Sequence, residues 1–125
     1  MTEKTRFFLS LLVIAAAART GVAWTDAAAQ QTDPPRREFT VIARRYAFTP
    51  ARIEVDHGDC VTITLTTEDI AHSFTIDEYR ISKRIAPGQQ VVVEFRADRR
   101  GTFTFYCSLT AEEGCRNMRG TLLVR

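Results

Sequence analysis

Charge of one sign, helical periodicity and histidine are all scarce in these 125 residues. Lysine and arginine number 17 against 15 aspartates and glutamates, a formal net charge of +2, so no strong field argues for nucleic acid as a partner. Histidine occurs twice, tryptophan once and cysteine three times. There is no internal repeat and no low-complexity tract. No catalytic triad, paired acid and base or phosphate-binding loop is visible, so nothing points to an enzyme. The one extended apolar run, residues 7–18, is about half the roughly 20 residues a membrane-spanning helix needs. Beyond it, nothing predicts a long helix or a membrane span.

That run is informative for what surrounds it. Lys4 and Arg6 precede it, Arg19 closes it, and small residues through Ala27, Ala28 and Ala29 follow. This is the layout of a secretory signal peptide, read here as residues 1–29, although Gly21 and Ala23 also satisfy the small-residue rule for cleavage. The reading implies an exported, periplasmic or secreted protein. Removing residues 1–29 takes away three basic and two acidic groups, leaving 14 against 13, a net charge of +1. Three cysteines in an oxidising compartment leave at least one thiol outside any internal disulfide.

Residues 30–37, QQTDPPRR, are polar and carry adjacent prolines, which reads as a tether, with one domain over residues 38–125. Within that domain apolar residues alternate: Phe39, Val41 and Ala43; Ile53 and Val55; Val61, Ile63 and Leu65; Phe74 and Ile76; Val91, Val93 and Phe95; Phe103 and Phe105; Leu122 and Val124. Period two predicts seven or eight short half-buried strands. Turn signals separate them at Thr49-Pro50, His57-Gly58-Asp59, Pro87-Gly88, Arg100-Gly101 and Gly120. The expected fold is all-β, an antiparallel sandwich or small barrel, with one short helical turn within residues 110–113.

Candidate chemistry collects near the C-terminus. The stretch FYCSLTAEEGCRNMRGTLLV sets Cys107, Cys115 and Met118 on a loop between two predicted strands, and His72 lies where a polar loop meets the strand of EDIAHSFTI. Soft sulfur donors with an imidazole suit copper, whereas calcium and magnesium want oxygen. Taken singly, each residue reads as packing or as an inert thiol; their joint arrangement is what points to a metal. His57 reads as a solvated turn residue, and Cys60, at the start of its strand, as a buried thiol roughly 20 Å from the His72 end. Glu68, Asp69, Glu112 and Glu113 read as solvated, with the alternative of a carboxylate ligand. Arg80, Lys83, Arg84, Arg116 and Arg119 read as a solvated basic face, with the alternative of docking an acidic redox partner.

The runs YAFTPARIEVDHGDCVTITL, HSFTI, IAPGQQVVVEF, GTFTFYCS and MRGTLLV resemble a cupredoxin along residues 39–125. The nearest resemblance is to the copper A domain of cytochrome oxidase subunit II and nitrous oxide reductase. It implies a Greek-key β-sandwich whose ligand loops meet at one end. In that family the loop runs Cys, three residues, Cys, three residues, His, two residues, Met, after an upstream His-Ser-Phe. Here His72, Cys107 and Met118 match the histidine, first cysteine and methionine, with Met118 eleven residues after Cys107.

Two positions depart from that pattern: Ala111 stands where the second bridging cysteine would be, and Cys115 where the second histidine would be. A dinuclear copper A centre lacks its second bridge, so the resemblance implies one copper held by His72, Cys107 and Cys115, with Met118 as a weaker axial donor. Zinc is a credible competitor for such a set. The alternative for Cys107 and Cys115 is a disulfide. The expected function is one-electron transfer by a monomer working with a redox or copper-exchange protein. The alternatives are Cu(I) delivery or storage, and a metal-free scaffold.

Overall fold

Alternation of apolar and polar residues places one side of most strands in a common interior, and the described chain forms nine strands. They are β1 (Arg36–Arg44), β2 (Ala47–Thr49), β3 (Arg52–Val55), β4 (Cys60–Thr67), β5 (His72–Ile76), β6 (Ile81–Ile85), β7 (Val91–Arg96), β8 (Gly101–Tyr106) and β9 (Arg119–Val124). The computed structural model describes Gly21, residues 32–111 and residues 113–125. The expected signal peptide, Gly21 apart, and the start of the tether lie outside the described residues. Thr32–Arg125 is one compact unit. No helix among the described residues is long and apolar enough to cross a membrane.

The strands form a four-stranded sheet in the order β2-β1-β4-β7 and a five-stranded sheet in the order β3-β9-β8-β5-β6. Together they make the expected cupredoxin-like β-sandwich. The sheets are mixed rather than antiparallel throughout: β1 runs parallel to β4, and β3 parallel to β9. Those pairs arise because the chain crosses to the opposite sheet before returning beside an earlier strand. Parallel pairing with β4 starts at Arg36, opposite Cys60, so strand structure begins two residues before the expected domain start at Glu38.

Two strands carry too little alternation to be read from sequence. β2 has three residues, and β6 is an edge strand whose interior positions Ile81 and Ile85 flank three exposed polar residues. Charge on an edge is a usual guard against sheet-to-sheet association. The helical turn expected within residues 110–113 forms later, as a 3₁₀ turn at Glu113–Asn117, and another occupies Asp77–Tyr79.

Inward-facing Val41, Ile53, Ile63, Leu65, Phe74, Ile76, Phe105 and Leu122 are buried between the sheets. At the heart lie Phe48, Phe74 and Phe105, with ring centroids 5.0–5.9 Å apart. Each such side chain contributes about 1.5–3 kcal/mol by leaving water. Phe74 is two residues past His72 and Phe105 two before Cys107, so this cluster underlies both.

Gly120 is not a turn residue as its sequence context suggested. It pairs with Phe105 within the β8–β9 ladder, and a Cβ there would run into the Phe105 ring and come within 2.8 Å of the Ala51 carbonyl oxygen. The glycine lets backbone and ring touch. Gly120→Ala is expected to lose about 1–3 kcal/mol by overpacking, seen as a lower thermal midpoint; an unchanged midpoint would show that the ring has room to yield.

Candidate metal centre

Three connections meet at one end of the sandwich: the β1–β2 turn, the β4–β5 loop and residues 107–118 between β8 and β9. Polar bonds lace them together. The Arg45 N–H donates to Asp69 Oδ2 at 2.7 Å, joining the first to the second. Tyr46 joins the first to the third, because its ring lies directly over Gly114 where a Cβ would otherwise stand. Ser73 joins β5 to the third: its N–H donates to Cys107 Sγ at 3.4 Å, and its Oγ accepts the Ser108 N–H at 2.6 Å.

The four residues singled out from the sequence all lie at this end, and His72, Cys107, Cys115 and Met118 are all buried. Cys107 and Cys115 form a disulfide, which is the alternative reading of that pair. Met118 sits between them in hydrogen bonding: the Cys107 N–H donates to its carbonyl at 3.2 Å, and its own N–H donates to the Cys115 carbonyl at 3.1 Å. His72 begins β5, one residue before the Ser73 that holds Cys107. Among the described residues, no three histidine, cysteine, aspartate or glutamate side chains form a group that could hold a metal as they stand. The two sulfurs are spent on each other, and one nitrogen of His72 on a carboxylate.

That carboxylate belongs to Asp69, which the sequence alone left as solvated. Its Oδ1 lies 2.8 Å from His72 Nε2 and also accepts the Ile70 N–H at 2.6 Å. Burial pushes the Asp69 carboxyl up, but the Arg45 and Ile70 N–H groups and the His72 ring together outweigh it, holding Asp69 well below the usual carboxylate range. An ionised carboxylate only accepts, so Nε2 of His72 is the donor in this bond. The two bonds of Asp69 to backbone thus orient the ring. Glu68 points away and pairs with Arg44 at 2.8 Å, and Glu113 is exposed.

Two other sequence readings come out as follows. His57 is exposed in its turn, as expected, with Nε2 3.2 Å from the Asp98 carbonyl oxygen. Cys60 is a free thiol but is half-exposed rather than buried. In β4 the interior side belongs to Val61, Ile63 and Leu65, which turns Cys60 to the outer face opposite Arg36 and Arg96. Ser73, Ser108 and Tyr46 were not singled out from the sequence. Only the serine inside the His-Ser-Phe motif carried a signal there.

The profile of the cupredoxin-like domain matches residues 10–124. The chain belongs to the cupredoxin-like family. This cupredoxin is 29% identical over 104 residues to cytochrome c oxidase subunit 2 of Thermus thermophilus, spanning 82% of this chain and 77% of that one. Among solved structures it is similar to auracyanin A, a "blue" copper protein of Chloroflexus aurantiacus, with a TM-score of 0.61, 15% identity and coverage of 72% of this chain and 99% of that one. It is also similar to a mixed disulfide between thioredoxin-like TlpAs and subunit II of cytochrome c oxidase, with a TM-score of 0.60, 14% identity and coverage of 70% and 80%. At those identities the structures speak for the fold.

Tyr106, the residue before Cys107, gives a pH-dependent marker of this end of the cupredoxin. Its hydroxyl donates to both oxygens of Asp77, at 2.9 and 3.1 Å. That bond, then burial and the Asp77 charge, raise its pKa. The neutral phenol is the bonded form, so its contribution to stability is intact below the ordinary tyrosine value of about 10 and fades as pH climbs through the raised one. A tyrosinate absorbance titration should show Tyr106 ionising late, and Asp77→Ala should bring it earlier; an unshifted curve would contradict the bond.

Proposed function

We propose that this cupredoxin is an exported protein that binds one copper ion through His72, Cys107, Cys115 and Met118 and passes single electrons between larger redox partners. The observation that carries the reading is the convergence of one imidazole, two sulfurs and one thioether, all buried, at the loop end of a cupredoxin sandwich. Cupredoxin relatives include a blue copper protein and an oxidase subunit, which supports copper and electron transfer at family level.

The donors fit a soft metal once the disulfide is open. Reduction takes two electrons and two protons and leaves two thiols, which deprotonate on binding metal. A dithiol protein is the fitting reductant: its thiolate attacks one sulfur, the other leaves, and its second thiol closes the partner's own disulfide. The mixed disulfide of the oxidase relative with a thioredoxin-like protein makes this class of partner concrete. Bound copper supplies the one-electron couple between Cu(II) and Cu(I), with covalency from thiolate sulfur. The chain supplies the frame. Asp69 holds the His72 ring through its Nε2–H, the Ser73 N–H stabilises charge on Cys107 sulfur, and the aromatic cluster keeps water away from behind.

A second reading, Cu(I) delivery or storage, draws on the same pair of sulfurs, since two thiolates grip Cu(I) and oxidation to the disulfide releases it. Zinc competes for such a set. Copper(II) added to reduced protein separates the readings. An intense thiolate-to-copper absorption band with a reversible paramagnetic signal supports electron transfer; prompt bleaching to a colourless form that yields its metal to a chelator supports handling. Unaltered metal binding in Cys107→Ser would sink both.

Two further outcomes follow from the geometry. Opening the disulfide, with its sequence separation of 8, should cost about 2–3 kcal/mol of stability and lower the thermal midpoint, and added copper should recover it. Asp69→Asn should weaken copper binding about 10–100-fold, as loss of a carboxylate behind a ligating histidine does, and nitrogen resonances of the metal-free His72 ring should show mixed tautomers. A ring that keeps one tautomer without Asp69 would deny the carboxylate this role.

A further inference from the structure

We propose that the outer face of the five-stranded sheet, where it runs into residues 107–118, docks an acidic protein partner. The proposal takes the metal reading above as its premise, since it names the surface through which a partner would reach that site.

Antiparallel register puts Arg119 beside Tyr106 and Tyr106 beside Thr75, and puts Ser73 beside Arg84. Residues opposite one another share a face, and this is the face turned away from Phe74, Phe105 and the core. A groove of about 440 Å³ opens here, lined by the segment 106–110 together with Arg116 and Arg119, and Cys107 forms part of its wall.

Three arginines of this face make no ion pair. Four elsewhere do: Arg37 with Asp59 at 3.4 Å, Arg44 with Glu68 at 2.8 Å, Arg52 with Glu54 at 2.8 Å and Arg125 with Asp56 at 3.4 Å. Among the described residues, Arg84, Arg116 and Arg119 have no ion pair, although all three are exposed. The guanidinium of Arg119 lies over the Tyr106 ring, 5.8 Å from its centroid, a contact that holds the cation flat on the face and leaves its outer edge free. The nearby carboxylates are Asp77, which accepts the Tyr106 hydroxyl, then Glu78 and the exposed Glu113.

The spacing favours a protein over a small anion. Arg119 on β9 and Arg84 on β6 are separated by β8 and β5 and offset by two residues, which at about 4.8 Å per strand and about 3.3 Å per residue places their backbones roughly 16 Å apart. A single phosphate cannot bridge that gap, whereas carboxylates spread over a partner surface can. Between them the hydroxyls of Ser73, Thr75, Ser82 and Ser108 bond to one another at 3.0–3.3 Å. They satisfy one another, with Ser73 and Thr75 buried beneath and Ser82 and Ser108 exposed. Complementary charge of this kind mainly speeds encounter and sets orientation.

The test uses the full chain in its oxidised, metal-free form and a hexaglutamate peptide as probe. Amide resonances of residues 106–110, 116 and 119, with 73 and 84, should shift on titration, and binding should weaken on the order of tenfold from low to physiological salt as screening sets in. Arg116→Glu with Arg119→Glu should remove the shifts, while Arg99→Glu with Arg100→Glu, on the connection entering β8, should leave them. Equal loss in both double variants would overturn the proposal, as would tighter binding of a single-stranded oligonucleotide of the same charge. Because no metal is present, a chain that binds the peptide here yet takes up no copper refutes the metal reading alone. One that binds copper and ignores the peptide refutes the docking surface alone.

Discussion

The grip of Ser73 on the start of the β8–β9 loop is the constraint on which this end of the molecule depends. β5 and β8 pair in register only at Thr75 and Tyr106. Past that point the backbone ladder is replaced by side-chain and sulfur bonds: Ser73 Oγ takes the Ser108 N–H, the Ser73 N–H reaches Cys107 sulfur, and Thr75 Oγ1 bonds Ser108 Oγ. One small residue thereby ties the strand bearing His72 to the loop bearing Cys107, Cys115 and Met118. An apolar side chain there would leave the Ser108 N–H without its acceptor, at roughly 1–3 kcal/mol.

Aromatic packing below and specific bonds above follow from the same arrangement. Phe48, Phe74 and Phe105 pack edge to face or tilted beneath the site, and Gly120 lets the Phe105 ring sit against β9 backbone. The roots of the segments bearing His72 and Cys107 are therefore set by core packing. The loop itself is held by the bonds of Ser73, the disulfide, the two backbone bonds of Met118, and Tyr46 lying on Gly114.

Electrostatics separates two roles that sequence reading ran together. Asp69 and Glu68 are neighbours of the same chemistry, yet Asp69 turns inward to His72 and backbone N–H groups while Glu68 meets Arg44 in solvent. The arginines divide likewise. Arg37, Arg44, Arg52 and Arg125 find carboxylates, whereas Arg116 and Arg119, which line the opening over Cys107, do not.

Period-two alternation in Val41–Ala43, Val61–Leu65 and Val91–Phe95 was enough by itself to determine an all-β sandwich, because burial of every second side chain is a local, one-dimensional pattern. The His-Ser-Phe and Cys–Met spacing likewise marked His72, Cys107, Cys115 and Met118. What only the tertiary structure decided is non-local. The parallel β1–β4 and β3–β9 pairs depend on crossovers, the short β2 and the charged edge β6 carry no periodic signal, and the outward turn of Cys60 follows from strand phase. The turn of Asp69 toward the Arg45 N–H depends on where the β1–β2 turn comes to rest, and the grip on Cys107 on where β5 does. Those contacts join segments 24 and 34 residues apart, and no local spacing encodes them.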